Sequence, residues 1–288
     1  MNYICFDIGG TITKHAVITD QTVILERGEY PTLFTIKENH IIASMLRILA
    51  SYRKSYEIEG VAISSPGLID PFHAKVLYAN DLMPGYRGTD FKKEIQAVTG
   101  LLVSAENDVN CFALSETKSS SDYFLMITIG TGIGGAIVFN NKIVAGSNYS
   151  AGEFGQMKLD DTKWESLCSM KQLVADAQRH SLPIQNGKEL FDLYDIGHPV
   201  AIELISKFYF HLSQGICNLV YIFNPDKIII GGGISSRGNQ FLAELQSHID
   251  NLADPHYFGS TKIELAQHFN DGGMLGALIH HINISKNT

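Results

Sequence analysis

Residues 3–18 read Tyr-Ile-Cys-Phe-Asp-Ile-Gly-Gly-Thr-Ile-Thr-Lys-His-Ala-Val-Ile, and residues 124–139 read Phe-Leu-Met-Ile-Thr-Ile-Gly-Thr-Gly-Ile-Gly-Gly-Ala-Ile-Val-Phe. At one constant offset, Ile8-Gly9 falls on Ile129-Gly130 and Ala16-Val17-Ile18 on Ile137-Val138-Phe139. The polar turn Thr19-Asp20 falls on Asn140-Asn141, and Val23 on Val144. Each copy reads strand, glycine turn, strand, short turn, strand. The period is far too long for a solenoid. It predicts two similar halves, residues 1–117 and 118–288.

Outward from the repeat, helix and strand alternate. Residues 37–55 have helical spacing through Ile41, Met45, Leu46 and Leu49, and 60–64 form an apolar strand. A short helix is predicted over 91–98, with Asp90 as N-cap and Gly100 past its end. A strand over 101–105 runs into Glu106-Asn107-Asp108, and a helix follows through Ala113 and Leu114. The second half offers a long, mostly apolar helix over 198–223, a buried strand over 226–230, and helices over 235–249 and 273–282. This alternation predicts an α/β protein with mixed sheets. The uncharged run 123–141 is long enough to suggest a membrane span, but its central glycines and Asn-Asn end fit two strands around a turn better.

The composition, 45% hydrophobic and 18% charged over 288 residues, is globular. Lys and Arg number 22 against 30 Asp and Glu, a net charge of −8. No basic cluster stands out, so no nucleic-acid partner is expected. Cys5, Cys111, Cys168 and Cys217 form no C-x-x-C pair, which argues against a zinc ribbon or a disulfide framework and fits the reducing cytoplasm. The first residues lack a basic stretch followed by an apolar one, so neither a signal peptide nor a membrane partner is expected. The apolar helix at 198–223 would serve either a core or a homodimer interface.

Four glycine turns follow strands or open helices: Gly9-Gly10, Gly130 to Gly135, Gly231-Gly232-Gly233 and Gly272-Gly273. Singly each reads as a tight turn. Together they read as a nucleotide phosphate site, because such turns aim backbone N–H groups at an anion and no Cβ blocks its approach. Gly130, Gly132 and Gly135 also have the G-x-G-x-x-G spacing, but a strand follows where a dinucleotide fold needs a helix. No G-x-x-x-x-G-K-[ST] sequence exists.

Strand–turn–strand phosphate loops in two duplicated halves resemble the actin, sugar-kinase and heat-shock ATPase architecture. Within it the chain resembles the ROK family of bacterial sugar kinases and repressors. The resemblance rests on 7–14, Ser65-Pro66-Gly67-Leu68-Ile69-Asp70, Glu106-Asn107-Asp108-Val109-Asn110, 129–135, Ala151-Gly152-Glu153-Phe154-Gly155, 224–233 and 271–277, in that order over almost the whole chain. It implies ribonuclease-H-like α/β halves with an intervening cleft, and a sugar kinase using ATP and Mg²⁺. The first half would carry one phosphate loop and the catalytic base. The second would carry the other phosphate loop, the sugar-binding loop and a nucleotide-binding segment.

By the same resemblance Asp108 is the catalytic base. At a strand–helix junction it reads otherwise as an ordinary cap. A sugar hydroxyl is a poor nucleophile, and a phosphoryl-transfer site positions it and takes its proton. Asn107, Glu153, Asn80 and Gly67 are the implied sugar-binding residues, with Ser65 and Pro66 beside Gly67. Asp7 is the acid expected to organise Mg²⁺ through water. Gly9, Gly10, Thr11, Lys14, Thr131, Gly132, Gly232 and Gly233 are expected at the ATP phosphates.

The chain departs from the family at Gln156, where most members have histidine followed by a cysteine-rich zinc loop. Residues 156–165 are short and contain no cysteine, and Cys168 alone cannot build a structural zinc site. No zinc is expected, and Glu165 corresponds to the glutamate that closes the family's zinc loop. Gln156 and Glu165 join the expected sugar contacts. This zinc-less pattern is similar to the family's β-glucoside kinases, which act on the 6-hydroxyl of the non-reducing glucose. Glucokinase, fructokinase and N-acetylmannosamine kinase activities are the alternatives. A repressor would carry a helix-turn-helix ahead of the phosphate loop, and Asp7 stands six residues after Met1. A non-catalytic sugar sensor would have lost the base, and Asp108 is present.

Overall fold

The computed structural model describes residues 1–34, 40–79, 83–119 and 122–286. It divides into two compact units. The first comprises Met1–Lys118, Ala145–Ser150 and the chain from Asn270 on; the second comprises Ser119–Val144 and Ala151–Phe269.

In the first unit the strands are β1 (Asn2–Ile8), β2 (Ile12–Thr19), β3 (Ile24–Pro31), β4 (Gly60–Ser65), β5 (Leu68–Asp70), β6 (Lys75–Tyr78) and β7 (Leu102–Asn107). The helices are α1 (Ile41–Tyr52), α2 (Ala97–Thr99) and α3 (Asp108–Ser115). Five strands form one sheet in the order β3-β2-β1-β4-β7, with β5 and β6 paired separately. β1 runs antiparallel to β2 and parallel to β4, and β4 runs parallel to β7.

The second unit holds β8 (Tyr123–Ile129), β9 (Ile133–Phe139), β10 (Lys142–Ile143), β11 (Lys158–Leu159), β12 (Thr162–Lys163), β13 (Lys227–Gly231) and β14 (Lys262–Leu265). Its helices are α4 (Glu165–Cys168), α5 (Met170–Arg179), α6 (Gly187–Asp195), α7 (Pro199–Phe223), α8 (Asn239–Leu252) and α9 (Pro255–Phe258). The sheet order β10-β9-β8-β13-β14 repeats the first sheet's topology: an antiparallel hairpin edge, then parallel strands. The sequence repeat is therefore a structural duplication, and 123–141 is the β8–β9 hairpin. The last helix, α10 (Gly272–Ser285), returns to the first unit.

Strand periodicity sets both faces of the first sheet. Ile4, Phe6 and Ile8 point into a cluster with Ile41, Met45 and Leu49 of α1. Tyr3 and Cys5 point the other way, onto Met274, Ala277 and Leu278 of α10. In the second unit Leu125, Ile127 and Ile129 pack with Leu204, Phe208, Leu212 and Ile216 of α7. Full burial of each such side chain contributes roughly 1.5–3 kcal/mol. Pro199 at the first turn and left-handed Asn224 after the last bound α7, as the asymmetry of helix ends requires.

Several boundaries differ from those expected. α1 begins at Ile41, and residues 35–39 lie outside the described ones. The helix expected over 91–98 contains a π turn at Lys92–Gln96, with the Asp90 carboxylate accepting the Lys93 N–H at 2.9 Å. The helix expected from Ser235 starts at Asn239; Gly233–Arg237 is a 3₁₀ turn, separated by Gly238 at φ 63°. The grouping differs from 1–117 and 118–288 in that Ala145–Ser150 and α10 fall in the first unit. Among the described residues no helix is long and apolar enough to cross a membrane.

Candidate active site

Three parallel strands of the first unit end side by side. Asp7 of β1 pairs with Ser64 of β4, and Ser65 pairs with Asn107 of β7. Strand carboxyl ends are where α/β sheets hold ligands. Ser64 Oγ donates to Asp7 Oδ1 at 2.6 Å, and Lys14 lies opposite Asp7 across the β1–β2 hairpin. Burial pushes the Asp7 carboxyl up, against the Ser64 hydrogen bond and the Lys14 charge. Lys14 Nζ donates to the Asn270 carbonyl at 3.2 Å. In the hairpin turn Gly9 N–H closes onto the Ile12 carbonyl at 3.0 Å, leaving Gly10 and Thr11 exposed.

β7 hands directly over to α3. Asn107 is the N-cap: its Oδ1 accepts from Val109 N at 2.9 Å and Asn110 N at 3.1 Å, and its Nδ2 donates to the Gly67 carbonyl at 3.0 Å. The side-chain oxygen is thus committed to the helix, and the amide nitrogen has one further N–H. Gly67 holds Asn107 through its carbonyl. Asp108 follows in the first turn, where the positive end of the helix favours a carboxylate. One of its oxygens accepts its neighbour's N–H, Val109 N, at 2.9 Å. Beside them Ser65 and Tyr86 share a 2.6 Å hydroxyl–hydroxyl bond.

Glu106 supports this junction and was not among the expected site residues. It is buried, and its Oε1 accepts Asn107 N–H at 2.7 Å and Asn110 Nδ2 at 3.0 Å. Burial pushes its carboxyl up. Its neighbour Oε2 lies 3.9 Å from His280 Nδ1. A glutamate at the end of a buried strand, just before a polar cap, is the sequence signal that marks it. Asn80 lies outside the described residues.

In the second unit the sugar-loop candidates sit together. Gly152, at φ 95°, lies so close to the Gly135 carbonyl that a Cβ would come within 2.6 Å. This contact seats residues 151–156 on β9 and sends Phe154 into the core. Glu153 and Gln156, on either side, remain exposed. Gln156 Nε2 donates to Glu165 Oε1 at 3.0 Å. Partial desolvation of its carboxyl, and then the charge of Glu165, push Glu153 up. Glu165 Oε2 in turn lies against Gly132 of the second glycine turn. That turn closes by Gly130 N–H onto the Gly132 carbonyl at 3.0 Å, while the Gly130 carbonyl accepts Met170 N–H at the start of α5. Thr131 is exposed at its tip.

Gly232, at φ 90°, leads from β13 into the turn that begins at Gly233. Gly233 lines a cavity of about 830 Å³ with Met170, Phe191, Ile234 and Arg237, none of which was among the expected site residues. Its mixture of apolar walls and a few polar groups is that of a small-molecule site.

Magnesium is held typically by one or two carboxylates plus substrate phosphates. Asp7 fits that pattern: one carboxylate, anchored by Ser64 and close against the α10 N-terminus at Gly273.

The chain matches the family model described as ROK family over residues 3–283. It is 35% identical over 295 residues to a β-glucoside kinase of Klebsiella pneumoniae, covering 97% of this chain and 96% of that one. A solved Listeria monocytogenes protein provisionally named as an N-acetylmannosamine kinase superposes with a TM-score of 0.87 at 32% identity, over 99% and 100% of the two chains. A ROK family glucokinase from Streptomyces griseus, solved with glucose and AMPPNP, superposes with a TM-score of 0.80 at 26% identity, over 97% and 98%. With the duplicated sheets and the strand-end carboxylates, these matches establish that the chain belongs to the ROK family, among its sugar kinases.

Proposed function

We propose that this sugar kinase transfers the γ-phosphoryl group of ATP to the 6-hydroxyl of the non-reducing glucose of a β-glucoside such as cellobiose. The observation that carries the β-glucoside reading is the Gln156–Glu165 hydrogen bond at 3.0 Å in a short, cysteine-free segment. A flexible amide that both donates and accepts can adapt to a β-linked substituent. The 35% identity to a β-glucoside kinase supports the same reading.

Asp108 accepts the proton of the attacking hydroxyl as the bond to phosphorus forms. Asn107 donates its remaining amide N–H to a sugar hydroxyl, and Glu153 accepts from another. Gly9, Gly10 and Thr11, with Lys14, present N–H groups and charge to phosphate oxygens; Thr131 and Gly132 do the same from the second glycine turn. The cavity beside Gly233 takes the nucleoside. Asp7 would hold Mg²⁺ through water, and the ion would neutralise charge on the phosphates.

The test is ADP release with ATP and Mg²⁺ over a panel of cellobiose, gentiobiose, glucose, fructose and N-acetylmannosamine. Turnover of the two β-glucosides supports the reading. Turnover confined to a monosaccharide sends it to the corresponding hexose kinase, and none with any sugar leaves a binding protein.

A further inference from the structure

Arg237 closes the 3₁₀ turn that begins at Gly233 and makes an unusually complete set of contacts. Its Nη1 donates to Asp195 Oδ2 at 2.9 Å and its Nη2 to Asp195 Oδ1 at 2.6 Å, a two-pronged grip on the last residue of α6. Its Nε donates to Glu244 Oε2 at 3.2 Å and its Nη2 to Glu244 Oε1 at 2.8 Å, a second grip on α8. The guanidinium carbon stands 4.6 Å from the Phe191 ring centroid. The side chain is only 11% exposed. Both acids are held in turn: Gln240 Nε2 donates to Asp195 at 3.1 Å and to Glu244 at 3.2 Å, and the Tyr209 hydroxyl donates to Glu244 at 2.6 Å.

The three elements tied by this one side chain border the cavity of about 830 Å³. Phe191 of α6 forms one wall, Gly233 and Ile234 of the turn form another, and Gln240 of α8 lines it as well. A flat aromatic base gains from such a slot only if the spacing of its walls is fixed before the base arrives. Hydrogen bonds to charged groups contribute more than neutral ones, and a planar fork fixes both distance and angle.

We propose that Arg237 is a positioning residue that sets the width of the nucleotide-base slot between α6 and the Gly233–Arg237 turn. This rests on the reading of the chain as an ATP-dependent kinase. Arg237 borders the cavity at the end of the turn and holds Phe191 and the turn in place, so its loss affects nucleotide affinity and spares the sugar.

The experiment compares wild type, Arg237→Met, Arg237→Lys and Asp195→Asn. Affinity for AMPPNP is measured by calorimetry, KM for ATP and for sugar by kinetics, and the melting temperature alongside. Arg237→Met should weaken AMPPNP and raise KM for ATP by at least about tenfold, with KM for sugar within about twofold. Lys should rescue only partly, since an ammonium cannot grip two carboxylates in plane. Asp195→Asn, at the more exposed end, removes one charged acceptor, keeps a fold if Arg237→Met does not, and should shift ATP in the same direction. Nucleotide affinity unchanged in all folded variants, or sugar and nucleotide affinity falling together, overturns the proposal. A wild-type protein that binds no AMPPNP and phosphorylates no sugar overturns the kinase reading itself, and the slot with it.

Discussion

Gln156 donates its side-chain amide to Glu165, nine positions along the chain, at 3.0 Å. The amide keeps its carbonyl oxygen and one N–H for a ligand. Replacement of Gln156 by Ala should therefore raise KM for a β-glucoside several-fold while kcat stays within about twofold, because a contact remote from the transferring group is alike in ground and transition states. Steady-state kinetics on cellobiose checks this. A fall in kcat at constant KM would place Gln156 in the chemistry instead.

Asp108→Asn keeps size and the helix-start position but removes the proton acceptor. Turnover should fall by roughly 10²–10⁴-fold, with sugar affinity by calorimetry largely kept. Near-normal turnover would remove Asp108 from the role of base.

Gly276 of α10 packs so closely on α3 that a Cβ would lie 1.6 Å from the Cys111 carbonyl oxygen. That neighbour is backbone and cannot swing away, so Gly276→Ala must push the two helices apart. Overpacking of this kind costs about 1–3 kcal/mol, occasionally more. Urea unfolding should show the loss, and a wild-type midpoint would contradict the described helix packing.

This contact is not legible in the sequence. The repeat identifies the two hairpins because strand alternation and glycine turns are local. Membership of α10 in the first unit depends on which sheet its small residues meet, and no periodicity encodes that. The expected boundary at 118 follows the strands and misses the returning helix. In the site, Asp7, Asn107 and Asp108 stand out in sequence as polar residues that end apolar strands. Ser64 does not, because a serine at the end of a buried strand looks ordinary until β4 is set beside β1. Arg237 and Phe191 are far apart in the chain, and only the fold brings a guanidinium over that ring.

Acid should destabilise the first unit. Burial lowers both His280 and His281 to about 4, with the neighbouring His280 charge adding to the effect on His281. His281 shares a 2.8 Å hydrogen bond with Ser104, and His280 Nε2 is buried with no hydrogen-bond partner among the described residues. Unfolded histidine titrates near 6.5. The native state thus binds fewer protons, and stability present above about pH 6.5 is lost as pH falls toward 4. Together the two imidazoles contribute on the order of a few kcal/mol to that loss, because the lowering at His281 already includes the His280 charge. Glu106, whose carboxyl is pushed up by burial, works in the opposite direction and offsets part of it. Urea unfolding at pH 7 and pH 4.5 should show the loss, and His281→Gln should reduce it. An identical pH dependence in that variant would contradict a neutral buried imidazole.

The most direct test of the β-glucoside reading is the site of phosphorylation on cellobiose. Purified protein, ATP, Mg²⁺ and cellobiose are incubated and the product is analysed by NMR, with kcat/KM compared against glucose. The account predicts phosphate on C6 of the non-reducing ring and a kcat/KM at least comparable to that for glucose. No transfer to cellobiose, while glucose or N-acetylmannosamine is turned over well, would contradict it.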